Sequence, residues 1–268
     1  MNEAAGRISE TKTMDYTSLR RTVYRCREQF PFAEYTALAR SWNGRALFLL
    51  KLGNQADPVL FLGGFDGTDR HSPRLLLRFF EKLCRSFEAG GRLSGIRIRS
   101  VLQEKGVMIL PCVNPDGLAL GQTVNAHGVN LSENYKPFWE QRKRLTLPSD
   151  DALFAGKTPE CEPETRAVLR ACRRYPFRHM IVMGPGQNAV TAYAPDCPEQ
   201  KAEMMQKVLC AAGGFETQPP RATPGAYCGA AEQFEAEFRR PAFWFGLKEA
   251  GPEAEKRWEE ALVLACLM

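Results

Sequence analysis

The sequence has no apolar run near the length of a bilayer, no CxxC pair, no cysteine and histidine at zinc-finger spacing, and no block of basic residues. Each absence closes a class of function. A membrane helix needs about 20 consecutive apolar residues, so no membrane partner is expected. The opening residues, MNEAAGRISETKTMDY, are polar and lack the apolar core and small-residue cleavage site of a secretory signal. A cytoplasmic location is the expectation. The nine cysteines are odd in number and unpaired in spacing, which fits a reducing compartment in which they serve as small buried hydrophobes. The net charge of +5 is spread over short clusters such as Arg20-Arg21, Arg173-Arg174 and Arg239-Arg240. A nucleic-acid binder concentrates such charge on one face, so no nucleic-acid partner is expected.

What is present is ordinary for a globular chain: 268 residues, 44% hydrophobic and 25% charged. That length can bury a large core without metals or disulfides, and one domain over 1–268, with 1–15 flexible, is the expectation. Residues 17–30 carry Leu19, Val23 and Cys26 on one helical face. Tyr35–Ser41 and Arg45–Leu52 read as a hairpin around Asn43-Gly44. PVLFLGG (58–64) is a buried strand meeting a loop, and residues 72–88 follow as a helix with Ser72 as cap and Pro73 in its first turn. GVMILPCV (106–113) is a second buried strand, running into the turn formers Asn114-Pro115-Asp116-Gly117. Met180–Met183, after a helix begun at Pro163-Glu164, and Ala242–Leu247 are two more, and a last amphipathic helix covers 253–266. Strands alternating with helices predict an α/β fold with three layers, α/β/α, around a largely parallel mixed sheet. Ligands in such folds sit beyond the strand carboxyl ends.

The loops at those ends carry successive landmarks: GGFDGTD (63–69), PCVNPDG (111–117), NAHGVNLSENY (125–135), ECEPETRAV (160–168), YPFRHMIV (175–182) and RRPAFWFG (239–246). In order and spacing they resemble the zinc carboxypeptidases of the carboxypeptidase A type, most of all the bacterial branch that cleaves γ-D-glutamyl-diaminopimelate bonds in cell-wall peptides. The resemblance covers roughly residues 35–250. It implies a zinc cofactor held by a His-x-x-Glu pair and a distant histidine, a glutamate as general base, and an Asn-Arg pair holding the substrate carboxylate.

At each of these positions the sequence departs from the pattern. Asp66 and Asp69 stand in place of the His-x-x-Glu pair, and Met183 or Gly184 in place of the second histidine. Glycine has no donor and a thioether suits softer metals than zinc. The final strand reads PAFWFG, so Gly246 occupies the position of the general base beside Trp244 and Phe245, with Glu249 three residues on. Ser132 and Glu133 replace the carboxylate-holding pair, while Asn134 remains, and Glu133 reverses the charge expected there. With Asp66 and Asp69 it would make the old cleft acidic.

The expectation is a non-catalytic pseudo-peptidase with no zinc, binding a peptide, a cell-wall fragment or a protein partner. The competing expectation is an active metallocarboxypeptidase in which Asp66, Asp69 and His71 hold a harder cation. Asn114, Asp116, Gly117, Asn125 and Gly128 read as turn and scaffold residues, Cys112 as a core cysteine, and His127 and His179 as structural or surface residues.

Overall fold

The computed structural model describes residues 14–137, 139–140, 153–193, 199–219, 229–248 and 251–268. Four short apolar segments, β3 (Pro58–Leu62), β6 (Gly106–Leu110), β7 (His179–Pro185) and β10 (Ala242–Leu247), lie side by side and parallel in the order β6-β3-β7-β10. Their side chains are apolar on both faces because both faces are covered, as a parallel sheet requires. Val59, Phe61, Ile109, Ile181, Met183, Phe243 and Phe245 enter one core. The alternate residues Leu60, Leu62, Met108, Leu110, Met180, Val182 and Ala242 enter the other.

The first core is closed by α1 (Tyr16–Gln29), α2 (His71–Ala89), α3 (Ile98–Glu104), α6 (Glu199–Gly213) and α8 (Pro252–Leu267). The second is closed by α5 (Pro163–Arg174) and α7 (Gly229–Phe238). Antiparallel strands complete the sheet on either side of this parallel centre. The hairpin β1 (Glu34–Arg40) and β2 (Ala46–Leu52) joins at β6, while β8 (Ala189–Tyr193) joins β10 and the short β9 (Glu216–Gln218) lies beyond it, parallel to β8. A separate two-stranded ribbon, β4 (Arg92–Leu93) and β5 (Ile96–Arg97), precedes α3, and α4 (Pro115–Leu120) follows β6. The predicted α/β fold with three layers and a mixed sheet is the observed one.

Local chemistry corrects some boundaries. Helix α2 starts at His71, and its cap is the Asp69 carboxylate rather than Ser72: Asp69 Oδ1 accepts from the backbone N–H of His71 and of Ser72, both at 3.0 Å. Ser72 sits inside the first turn and donates its hydroxyl to the other Asp69 oxygen. The strands before Gly63 and Pro111 end two or three residues earlier than their apolar runs, because Gly63, Val113 and Asn114 donate across the loops instead of along the ladder. The N-terminal segment expected to be flexible is ordered at its end, with Met14 buried and Asp15 capping α1 through the Ser18 N–H at 2.7 Å. The rest of that segment lies outside the described residues. No helix among the described residues is long and apolar enough to cross a membrane.

Candidate functional site

The parallel strands β3, β7 and β10 deliver the Asp66 loop, Gly184 and Gly246 to one carboxyl edge of the sheet. The Leu131–Tyr135 segment reaches the same edge, with the Tyr135 ring 6.5 Å from that of Phe65. The sequence-predicted positions therefore meet, and the geometry at each is specific.

Asp69 is 7% exposed and committed to α2. One oxygen takes two backbone N–H groups and the other takes the Ser72 hydroxyl. Burial raises its pKa above the ordinary carboxylate value, an effect these hydrogen bonds partly offset. Asp66 is half-buried, and its Oδ1 closes a local turn by accepting from the Thr68 N–H at 2.8 Å and the Thr68 hydroxyl at 2.7 Å. His71 opens α2, and burial lowers its pKa below that of free histidine. No three His, Cys, Asp or Glu side chains among the described residues are grouped so as to hold a metal ion.

Capping leads to a stability expectation. Asp69→Ala removes the acceptor for two helix N–H groups and should cost about 1–2 kcal/mol in chemical denaturation. Asp66→Ala, on a polar loop, should cost less than about 0.5 kcal/mol. Equal losses would contradict the division of roles.

Of the two candidates at the second-histidine position, Met183 is fully buried in the core beneath the sheet, so it faces away from the edge. Gly184 is paired with Gly246 across β7 and β10. A Cβ on Gly184 would run into the six-membered ring of Trp244, which leans over it from two residues back on the neighbouring strand. A Cβ on Gly246 would lie 3.0 Å from Gly186 Cα and 3.2 Å from the Gln187 nitrogen, both backbone atoms with little room to yield. The strand ends are also tied by Gly186 N–H donating to Leu247 O at 2.9 Å. Glu249 lies outside the described residues.

Glu133 is fully buried, which corrects the acidic open cleft expected from sequence: with Asp69 also turned inward, only Asp66 of the three carboxylates is even half-exposed. Ser132 accepts the Gly229 N–H on its backbone carbonyl at 2.9 Å. Asn134 is a buried brace that donates to Ala155 O at 2.7 Å and Thr158 O at 3.1 Å and accepts the Glu162 N–H at 3.2 Å.

One group of residues escaped notice as a unit in the sequence. Glu162 and Glu164 flank Pro163 at the start of α5 and are buried, 4% and 0% exposed. Asn125 Nδ2 donates to Glu162 at 2.8 Å and to Glu164 at 3.4 Å. The Trp42 indole N–H donates to Glu162 at 2.7 Å and its ring stacks on His127 at 3.7 Å. Two acids either side of a helix-opening proline were the only visible signal. Cys112, by contrast, is a fully buried thiol whose pKa burial drives upward, with Sγ 3.8 Å from Gly64 O. His179 is buried and pushed down to about 3 by the same cause.

A sequence model described as zinc carboxypeptidase matches residues 21–223. The chain belongs to the zinc carboxypeptidase family. This zinc carboxypeptidase family member is 23% identical to the uncharacterized protein YqgT of Bacillus subtilis over 231 residues, covering 75% of this chain and 61% of that protein. It is 28% identical to the human carboxypeptidase N catalytic chain over 192 residues, 60% of this chain and 40% of that one. It thus spans less than two thirds of either relative. A shorter match, 34% over 73 residues, links 25% of this chain to 30% of murein peptide amidase A of Escherichia coli K12. Among solved structures it superposes on bovine thrombin-activatable fibrinolysis inhibitor, determined in complex with tick carboxypeptidase inhibitor, with a TM-score of 0.77, 17% identity and 96% coverage of both chains. With murein-tripeptide amidase MpaA of Escherichia coli O157 the TM-score is 0.58 at 18% identity, over 88% of this chain and 89% of that one. These likenesses establish the family's fold in this chain.

Proposed function

We propose that this family member keeps the carboxypeptidase scaffold as a binding protein and does not hydrolyse peptides. The observation that carries the reading is the glycine pair at the ends of β7 and β10, one glycine lying under the Trp244 ring and the other against the Gly186 backbone. A catalytic zinc requires about three nitrogen, oxygen or sulfur ligands and an open coordination position. The residues present do not fit that requirement: Asp69 spends both oxygens on α2, Gly184 offers no donor and Met183 faces the opposite core. The same commitments of Asp69 weigh against a harder cation shared with Asp66 and His71. No chemical step is therefore assigned to a metal. Gly246 leaves the family's general-base position without a carboxylate, a contribution of roughly 10²–10⁴ in rate. The names of relatives that act on peptides, carboxypeptidase N and murein peptide amidase, support a peptide or a cell-wall peptide fragment as the ligand class.

The test is metal analysis of purified protein after zinc loading and dialysis, alongside assays with C-terminally free peptides and with γ-D-glutamyl-diaminopimelate substrates. We expect far less than one zinc per chain and no turnover above background. One zinc per chain together with turnover abolished by EDTA would overturn the reading.

A further inference from the structure

The turn of the β1–β2 hairpin is fastened to the body of the protein by buried carboxylates, and the charge there does not balance. Asp116, fully buried, takes the Ser41 hydroxyl at 2.8 Å, the Asn43 N–H at 3.1 Å and the Arg45 guanidinium at 2.7 Å. Glu162 takes the Trp42 indole N–H, the Asn125 amide and the Cys161 thiol, the last at 3.2 Å, and His127 Nδ1 stands 3.6 Å away. Glu164 shares the Asn125 amide with Glu162, and its second oxygen is buried without a hydrogen-bond partner. The charged groups acting on Glu164 are Glu162 on its own segment and Asp116 from α4, while His127 stands by Glu162. Arg45 is already paired with Asp116. A buried carboxylate with an orphan oxygen beside a second carboxylate is unfavourable in its ionised form.

We propose that Glu164 is held protonated in the folded chain, and that its ionisation releases the Trp42 turn from Glu162, making this junction a pH-sensitive latch. A neutral Glu164 leaves Asn125 and the Trp42 indole to satisfy a single charge on Glu162. An ionised one places a second charge on the same amide. Electrostatics agree in direction: burial above all, with the charges of Glu162 and Asp116, outweighs the hydrogen bonds from its own backbone N–H and from Asn125 and raises the Glu164 pKa from 4.5 to about 7. The step is proton transfer to solvent and needs no co-reactant.

The experiment uses the full chain and its Glu164→Gln variant. Infrared difference spectra of wild type between pH 6 and pH 8.5 should lose a protonated-carboxylic-acid band that the variant never shows. Over the same change, backbone amides of residues 40–45 should exchange hydrogen several-fold faster in wild type, after correction for intrinsic rates, and equally at both pH values in the variant. An acid band absent from wild type at pH 6, or the same exchange response in both proteins, would overturn the latch. Should the variant fail to fold, the wild-type band, assigned by carbon-13 labelling of glutamate, still decides whether the proton is there.

Discussion

Restoring histidine at 66 and 184 and glutamate at 69 and 246 is expected to yield a protein that neither binds zinc stoichiometrically nor cleaves a peptide. In an open site such a quadruple variant would recover at least the metal. At 184, 246 and 69 the new side chain meets an obstacle that the neighbouring structure supplies. The imidazole at 184 needs the volume held by the Trp244 ring. The glutamate at 246 would push its Cβ to 3.0 Å from Gly186 Cα, and relief requires moving the end of β7, which is tied to Leu247 by a hydrogen bond. The replacement at 69 keeps a carboxylate but lengthens it by a methylene, displacing it from the α2 cap it makes through His71 and Ser72. Polarisation, proton transfer and positioning act as a unit, so partial recovery of geometry should give no measurable fraction of a rate enhancement. Overpacking of this kind costs about 1–3 kcal/mol per site, and a fall in thermal stability should accompany the lack of activity. Zinc bound at one equivalent by the quadruple variant with Trp244 intact would show that the strand ends yield easily and would sink this account.

The second large effect is expected at Asp116, which holds the β1–β2 turn. Asp116→Ala removes the acceptor for a serine hydroxyl, a backbone N–H and a guanidinium, leaving Arg45 half-sheltered and unpaired beside a buried gap. Breaking one side of a buried ion pair costs about 3–5 kcal/mol. For a chain of this size that corresponds to a fall of roughly 6–20 °C in melting temperature. Asp116→Asn, which keeps the shape and one acceptor, should lose less. Urea titration of both variants checks the ranking, and a loss below about 1 kcal/mol for the alanine variant would mean that water replaces the side chain at little cost.

The framework was legible because its signals are local or periodic. The central strands are continuous apolar runs, and Pro163 and Pro252 each stand at a helix start. The loop landmarks pointed to the old catalytic edge and left the second-histidine position open between Met183 and Gly184. What remained hidden was set by contacts distant in sequence. Strand β8 and helix α7 have weak patterns of their own and take form from packing on β10 and β7. Asp69 could not be told from a ligand, since its role depends on where the α2 N-terminus points. Glu133 read as an acidic group of the open cleft because sequence does not report that its segment folds inward. The Trp42–Glu162 bond spans 120 residues, beyond the reach of any motif.

The buried His179 bears on proton bookkeeping across the whole molecule. Burial pushes its imidazole down from 6.5 to about 3 and pushes the Glu164 carboxyl up from 4.5 to about 7. Between pH 4.5 and 6.5 the unfolded chain therefore carries the proton of this pair on histidine, and the folded chain carries it on glutamate. The histidine contribution is lost as pH falls below the unfolded value, and the glutamate contribution is lost as pH rises toward the folded value. Over the overlap the two slopes, each about 1.4 kcal/mol per pH unit, run in opposite directions and cancel. At these two residues folding therefore moves a proton from histidine to glutamate, and their opposite pH dependences offset one another across a mildly acidic range.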